Sequence, residues 1–213
     1  TNGPWISYAD NDGVDDDTSA TISGVPTGVN LYVQVAAINE ANNAEDDAKL
    51  YSDVVGPVVA LGAPAAPTGL TAAANANGTI SLNWNAPTNI GGSAITDYVV
   101  EYRKITEQDW SVYEDGSNAL SNTVITTLVR DDGPFEFRVK ASNSIGTGPA
   151  SDVSVNVMPL AAPKAVQIQS IIEGNEQLSV TWTAPSDNGG ATVTDYIIEY
   201  KTTTQSIWTE VND

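Results

Sequence analysis

The chain has 213 residues, 41% of them hydrophobic and 16% charged, enough apolar material for packed domains and too little charge for wholesale disorder. It contains no Cys and no His, which excludes thiolate and imidazole chemistry, disulfides and zinc sites built on those ligands, so the chain is read as not an enzyme. Eight Lys plus Arg against 27 Asp plus Glu give a formal charge of −19, a field that repels nucleic-acid phosphates and anionic membrane surfaces and draws in cations.

In chain order, Trp5 comes first, followed by the acidic run Asp10-Asn11-Asp12-Gly13-Val14-Asp15-Asp16-Asp17. Carboxylates around a glycine turn are how oxygen ligands gather a hard cation. Asp10, Asp12, Asp15 and Asp17 are therefore the candidate calcium ligands, and no other cofactor is expected. The run does not fit an EF-hand loop: with Asp10 and Asp12 at its third and fifth positions, the first falls on Tyr8 and the twelfth on Ser19. A solvated turn between strands is the competing reading. Leu31 to Asn39 reads as a strand, Glu40, Glu45, Asp46 and Asp47 as an acidic loop, and Ser52-Asp53-Val54 follows.

From Val54 to Ile95 the chain carries no charge, yet Pro57, Pro64, Pro67 and many Asn, Thr and Gly residues interrupt it. It is linker and strand, not a membrane span. Gly62-Ala63-Pro64-Ala65-Ala66-Pro67 is a short stiff connector. Ile80, Leu82 and Trp84 then alternate with Thr79, Ser81 and Asn83. Tyr98, Val100 and Tyr102 alternate with Val99, Glu101 and Arg103, and Phe135, Phe137, Val139 and Ala141 with Glu136, Arg138 and Lys140. A period of two with one apolar face predicts antiparallel strands, and no stretch carries a helical stripe. Short strands between Gly, Pro, Asn and Asp turns over about 100 residues predict two packed sheets.

Within this stretch Trp84 is expected in the core and Trp110 is expected to be packed, with stacking on a glycan or a neighbouring module as its lesser reading. Asn77-Gly78-Thr79 is a formal glycosylation acceptor in a turn. Gly146-Thr147-Gly148 is expected to be a flexible turn, and Arg130-Asp131-Asp132-Gly133 is not an Arg-Gly-Asp adhesion sequence.

After a second connector, Leu160-Ala161-Ala162-Pro163, the chain repeats itself. Ser179 to Asp213 matches Ser81 to Asp115 without insertion, at a spacing of 182 − 84 = 98 residues. Trp84, Pro87, Gly91, Gly92, Tyr98, Tyr102 and Trp110 find counterparts in Trp182, Pro185, Gly189, Gly190, Tyr196, Tyr200 and Trp208. An earlier match links LYVQVAAIN at Leu31 to FEFRVKASN at Phe135, 135 − 31 = 104 residues on, and Ser52 to Ser151, 151 − 52 = 99 residues on. The difference falls in the acidic loop between Asn39 and Ser52.

Pro67 with Leu70, Leu82-x-Trp84, Ala86-Pro87, Tyr98-x-Val100-x-Tyr102, Trp110, Phe135-x-Phe137-x-Val139-x-Ala141-x-Asn143 and the loop from Gly146 to Ser151 together resemble tandem fibronectin type III domains, of the kind found in bacterial surface or extracellular repeat proteins. One departure stands out. The family usually has Tyr where Phe135 and Leu31 stand, so the hydroxyl bond of a tyrosine corner is missing, worth about 1 kcal/mol. The resemblance implies an all-β fold of immunoglobulin-like (fibronectin type III) β-sandwiches, one complete and two partial. Residues 1–60 would be the C-terminal part of one domain, 61–160 a complete domain and 161–213 the N-terminal part of another.

The function implied is that of a structural repeat segment of an extracellular or cell-surface fibre, stalk or adhesin, with its half-domains completed by the next repeats or by a neighbouring subunit. The partners expected are copies of itself or adjacent repeats, head to tail, together with surface glycans or proteins. A spacer or carbohydrate-binding accessory module of a secreted polysaccharide-degrading enzyme is the alternative. An intracellular muscle-type array is a third reading, disfavoured by the charge balance.

Overall fold

The structure is a computed structural model that describes residues 6, 19–37 and 50–211. It is built from strands, in chain order β1 (Asn30–Val33), β2 (Val55–Val59), β3 (Thr68–Ala74), β4 (Ile80–Asn85), β5 (Ile95–Lys104), β6 (Ser111–Tyr113), β7 (Asn122–Ile125), β8 (Phe135–Asn143), β9 (Thr147–Ala150), β10 (Gln167–Gly174), β11 (Gln177–Thr183), β12 (Glu199–Tyr200) and β13 (Thr209–Glu210). The one helical piece among the described residues is a single 3₁₀ turn, Arg130–Asp132. The all-β expectation is met.

The middle of the chain closes a sandwich. One sheet has the order β3-β4-β7 and the other β6-β5-β8-β9, every pairing antiparallel. Register explains why the core forms. Tyr98 faces Ala141, Val100 faces Val139 and Tyr102 faces Phe137 across β5 and β8, so the apolar sets of both strands share one side of the sheet. From the other sheet Ile80, Leu82, Trp84 and Ile125 meet them in one buried cluster. Full burial of each large side chain contributes about 1.5–3 kcal/mol. Trp84 and Tyr98 pack edge to face at 5.3 Å. Phe135, without a hydroxyl to donate, is buried against Tyr102 at 6.2 Å and exchanges backbone bonds with Val157.

The flanking parts are open hairpins. β1 pairs with β2, β10 with β11 and β12 with β13. The parallel between Leu31–Ser52 and Phe135–Ser151 extends to hydrogen bonds. The Val35 amide donates to Ser52 Oγ at 3.1 Å, as the Val139 amide does to Ser151 Oγ at 3.1 Å. Each serine amide in turn donates to that valine's carbonyl, both at 2.8 Å. The first part of the chain thus carries the same strand-closing device as the middle.

One expectation needs correction. Thr147 and Gly148 do not form a loose turn. They begin β9, with Thr147 opposite Ser142, because backbone pairing outweighs the poor strand preference of Gly and Pro. The Trp110 ring is packed beneath the guanidinium groups of Arg103 and Arg138, at 4.5 and 4.3 Å, and is not free to stack on a sugar. Those arginines belong to an ion network on the outer face of the four-stranded sheet. Arg103 binds Glu136 at 2.6 Å, and Glu101 accepts from both Arg138 and Lys140.

Candidate functional site

Asp10, Asp12, Asp15 and Asp17 lie outside the described residues, as do Glu40, Glu45, Asp46 and Asp47. Among the described residues no group of three or more acidic side chains could hold a metal ion. The conspicuous construction lies instead at the two connectors, where each unit meets the one before it.

At the first connector the turn between β4 and β5 folds back over the linker. The Gly62 amide donates to Gly91 O at 2.9 Å and the Ala65 amide to Asn89 O at 2.9 Å. Buried Asn143, at the end of β8, donates through Nδ2 to both Gly62 O and Ile90 O, at 2.8 and 2.9 Å. At the second connector the pattern recurs: the Ala161 amide donates to Gly189 O at 3.0 Å and the Lys164 amide to Asp187 O at 2.9 Å. The connectors are therefore strapped onto the following unit, and stiffness comes from these bonds as well as from proline.

The paired glycines are required sterically. Gly91 and Gly189 have φ of 71° and 72°, the left-handed region that favours glycine. A Cβ at Gly91 would stand 2.1 Å from Gly62 O, and one at Gly189 1.9 Å from Ala161 O. Leu61 and Leu160 occupy matching places, each with a Cδ2 within 3.0 Å of where a Cβ on Gly92 or Gly190 would stand. The first residue of each turn caps it in the same way, Asn89 Oδ1 accepting from the Gly91 amide and Asp187 Oδ1 from the Gly189 amide, both at 2.9 Å.

The same two side chains reach back to the preceding unit. Asn89 Nδ2 donates to Thr27 O at 2.9 Å. Asp187 accepts from Arg130, Nη2 to Oδ1 at 3.3 Å and Nε to Oδ2 at 3.4 Å. The Gly189 amide, and after it the Arg130 guanidinium, hold the Asp187 carboxyl below the usual carboxylate range. A hollow of about 210 Å³ beside the bridge is lined by Val129, Arg130, Ala161, Lys164 and Asp187 among others. Sequence reasoning paired the two Gly-Gly sites as counterparts between repeats but missed these contacts. Recurrence of the pair directly after Asn89-Ile90 and Asp187-Asn188 was the available signal. No described helix is long and apolar enough to cross a membrane.

Residues 65–157 match the family "Fibronectin type III domain". The chain is 28% identical to "M-protein, striated muscle" of Gallus gallus over 90% of its own length and 13% of that protein. It is 26% identical to "Titin" of Drosophila melanogaster over 99% of its own length and 1% of that protein. Among solved structures, domains A168-A170 from titin align at 23% identity with a TM-score of 0.44, covering 64% of this chain and 43% of that one. The chain thus spans a small fraction of the curated relatives named, and these are animal proteins, not the bacterial type expected. The closed two-sheet core lies within residues 65–157, the stretch that matches this family.

Proposed function

We propose that the chain is a structural repeat segment of an extracellular or cell-surface fibre, stalk or adhesin, in which fibronectin type III units follow one another at a set spacing. The observation that carries this reading is the recurrence of one junction at both connectors, down to the donors Gly62 and Ala65 in the first and Ala161 and Lys164 in the second. A unit whose linker is bonded to its own loop passes position and direction to the next. In this reading residues 61–160 are a complete unit, and 1–60 and 161–213 are parts of units completed by adjoining repeats or by a neighbouring subunit.

Exposed apolar side chains in the flanking parts support that completion. Leu178 and Ile197 are 63% and 74% exposed, and Val55 is 66% exposed. The charge of −19 supports a surface setting, because it keeps neighbouring fibres apart at low salt and lets divalent cations bridge them. Matches to muscle proteins favour a second reading, a filament array inside the cell. Electron microscopy of the protein that carries this segment is the test. An axial repeat set by the unit period is expected, and separate globules with no such repeat would overturn the proposal. Antibody labelling of intact cells separates the two settings.

A further inference from the structure

The two junctions share a backbone plan but differ in one chemical respect. Asn89 meets its predecessor through a neutral bond to a carbonyl, and the segment it meets, Pro26-Thr27-Gly28, holds no charge. Asp187 meets its predecessor through an ion pair with Arg130. The strand correspondence of 104 residues puts Arg130 level with Pro26, so the two turns hold equivalent places before β1 and β8. Each turn is shaped for its visitor. A Cβ on Gly28 would stand 2.0 Å from Asn89 Oδ1, and a Cβ on Gly190 would stand 2.5 Å from Arg130 Nη1. Arg103, Lys104, Arg138 and Lys140 form ion pairs inside the middle unit. Among the described ion pairs, the one of Arg130 crosses from one unit to the next.

We infer that the first residue of each Gly-Gly turn selects the unit that precedes it. Asparagine fits a predecessor that offers a bare carbonyl beside a glycine. Aspartate fits a predecessor that carries an arginine in the turn before its β8-type strand. The two residues do the same capping work inside their own turns, so exchanging them alters chiefly what the turn offers its neighbour, Lys164 of the connector being the lesser charge beside Asp187. An Asp at 89 would aim a carboxylate at the Thr27 carbonyl with no donor between them. An Asn at 187 would strip Arg130 of its counter-charge. The second junction is consequently sensitive to ionic strength and the first is not, since salt screens an exposed ion pair and leaves a neutral bond largely untouched. This concerns recognition between units of this chain and stands whether or not the array is a fibre.

Amide hydrogen exchange on the whole 213-residue chain is the test, because each junction has its own reporters: the Gly62 and Ala65 amides for the first, the Ala161 and Lys164 amides for the second. Raising sodium chloride from about 20 mM to about 500 mM, which shortens the screening length from about 20 Å to about 4 Å, is expected to lower protection at Ala161 and Lys164 about two- to five-fold relative to Gly62 and Ala65. Asp187→Asn and Arg130→Gln should each produce that loss at low salt and abolish the salt response, and the double variant should lose no more than either alone. Asn89→Asp should loosen Gly62 and Ala65 and spare the second junction. The core amides of Phe137 and Val139 serve as controls for intact folding. Equal salt responses at both junctions, or unchanged protection in Asp187→Asn, would overturn the inference.

Discussion

The middle unit and the segment after it share one pattern of key residues, Trp84 and Trp182, Gly91 and Gly189, Tyr98 and Tyr196 among them, yet only one has a core. Trp84 with Tyr98 and Trp182 with Tyr196 make nearly the same ring pair, 5.3 Å at 63° and 5.4 Å at 61°. Around the first pair Ile80, Leu82 and Val100 are 1% exposed or less. Around the second, Leu178 is 63% exposed, and Val180 and Ile198 are half-buried. Local sequence is enough to set a hairpin, a turn and a ring contact. Burial depends on strands such as β7, β8 and β9, brought from far along the chain. Each repeat therefore holds two layers of information, one carried by each hairpin and one that exists only when both sheets are present.

Matched substitutions put this difference to measurement. Ile80→Ala should cost about 3 kcal/mol in urea unfolding, from lost burial and the cavity left behind, whereas Leu178→Ala should cost less than about 0.5 kcal/mol. Equal costs would mean that the later segment is covered in solution. Extending the chain with the strands of a further repeat should draw the second value toward the first.

Glu101→Ala is the next largest. It leaves Arg138 and Lys140 without their shared carboxylate on a half-buried face, a loss of about 2 kcal/mol, while Glu199→Ala at the exposed equivalent position should be near neutral. Burial pushes the Glu101 carboxyl upward, but bonds from Lys140 and Arg138 outweigh it and hold the group below the usual carboxylate range. With a folded value lower than the unfolded one, its stabilising contribution is complete above the unfolded value of about 4.3. That contribution is lost as pH falls through the folded value. Acid unfolding of Glu101→Gln should lack this part of the pH slope.

Gly91→Ala and Gly189→Ala should show the smallest contrast. Each forces a side chain into a left-handed backbone position, about 1–2 kcal/mol, and against a linker carbonyl. The loss should appear as faster exchange at Gly62 and Ala161 respectively, and by similar factors. Here the two regions are alike, so a large disparity would show that the junctions are not equivalent after all.

What was legible in the sequence follows the same division. Strict alternation in Phe135–Asn143 and Ile80–Asn85 named the buried faces correctly, because a period of two in an apolar strand has few other solutions. The Ser52 and Ser151 correspondence could be read because a short motif recurs with its neighbours intact. Thr147-Gly148 was misread, since Gly and Pro advertise a turn and the pairing with β8 that overrides them is tertiary. The cations that cover Trp110 were not legible, because Arg103 and Arg138 come from β5 and β8 and only the fold brings them over the ring. The roles of Asn89 and Asp187 were not legible. Their partners Thr27 and Arg130 lie 62 and 57 residues away, and nothing local marks either of them.

The strapped connector has a mechanical corollary. A tether whose amides are already engaged, and whose prolines resist rotation, has no slack to release under tension. A gentle pull along such a chain would stretch nothing until a clasp at Gly91 or Gly189 gave way, and the first yield would come at the joints while the sealed body between them kept its shape.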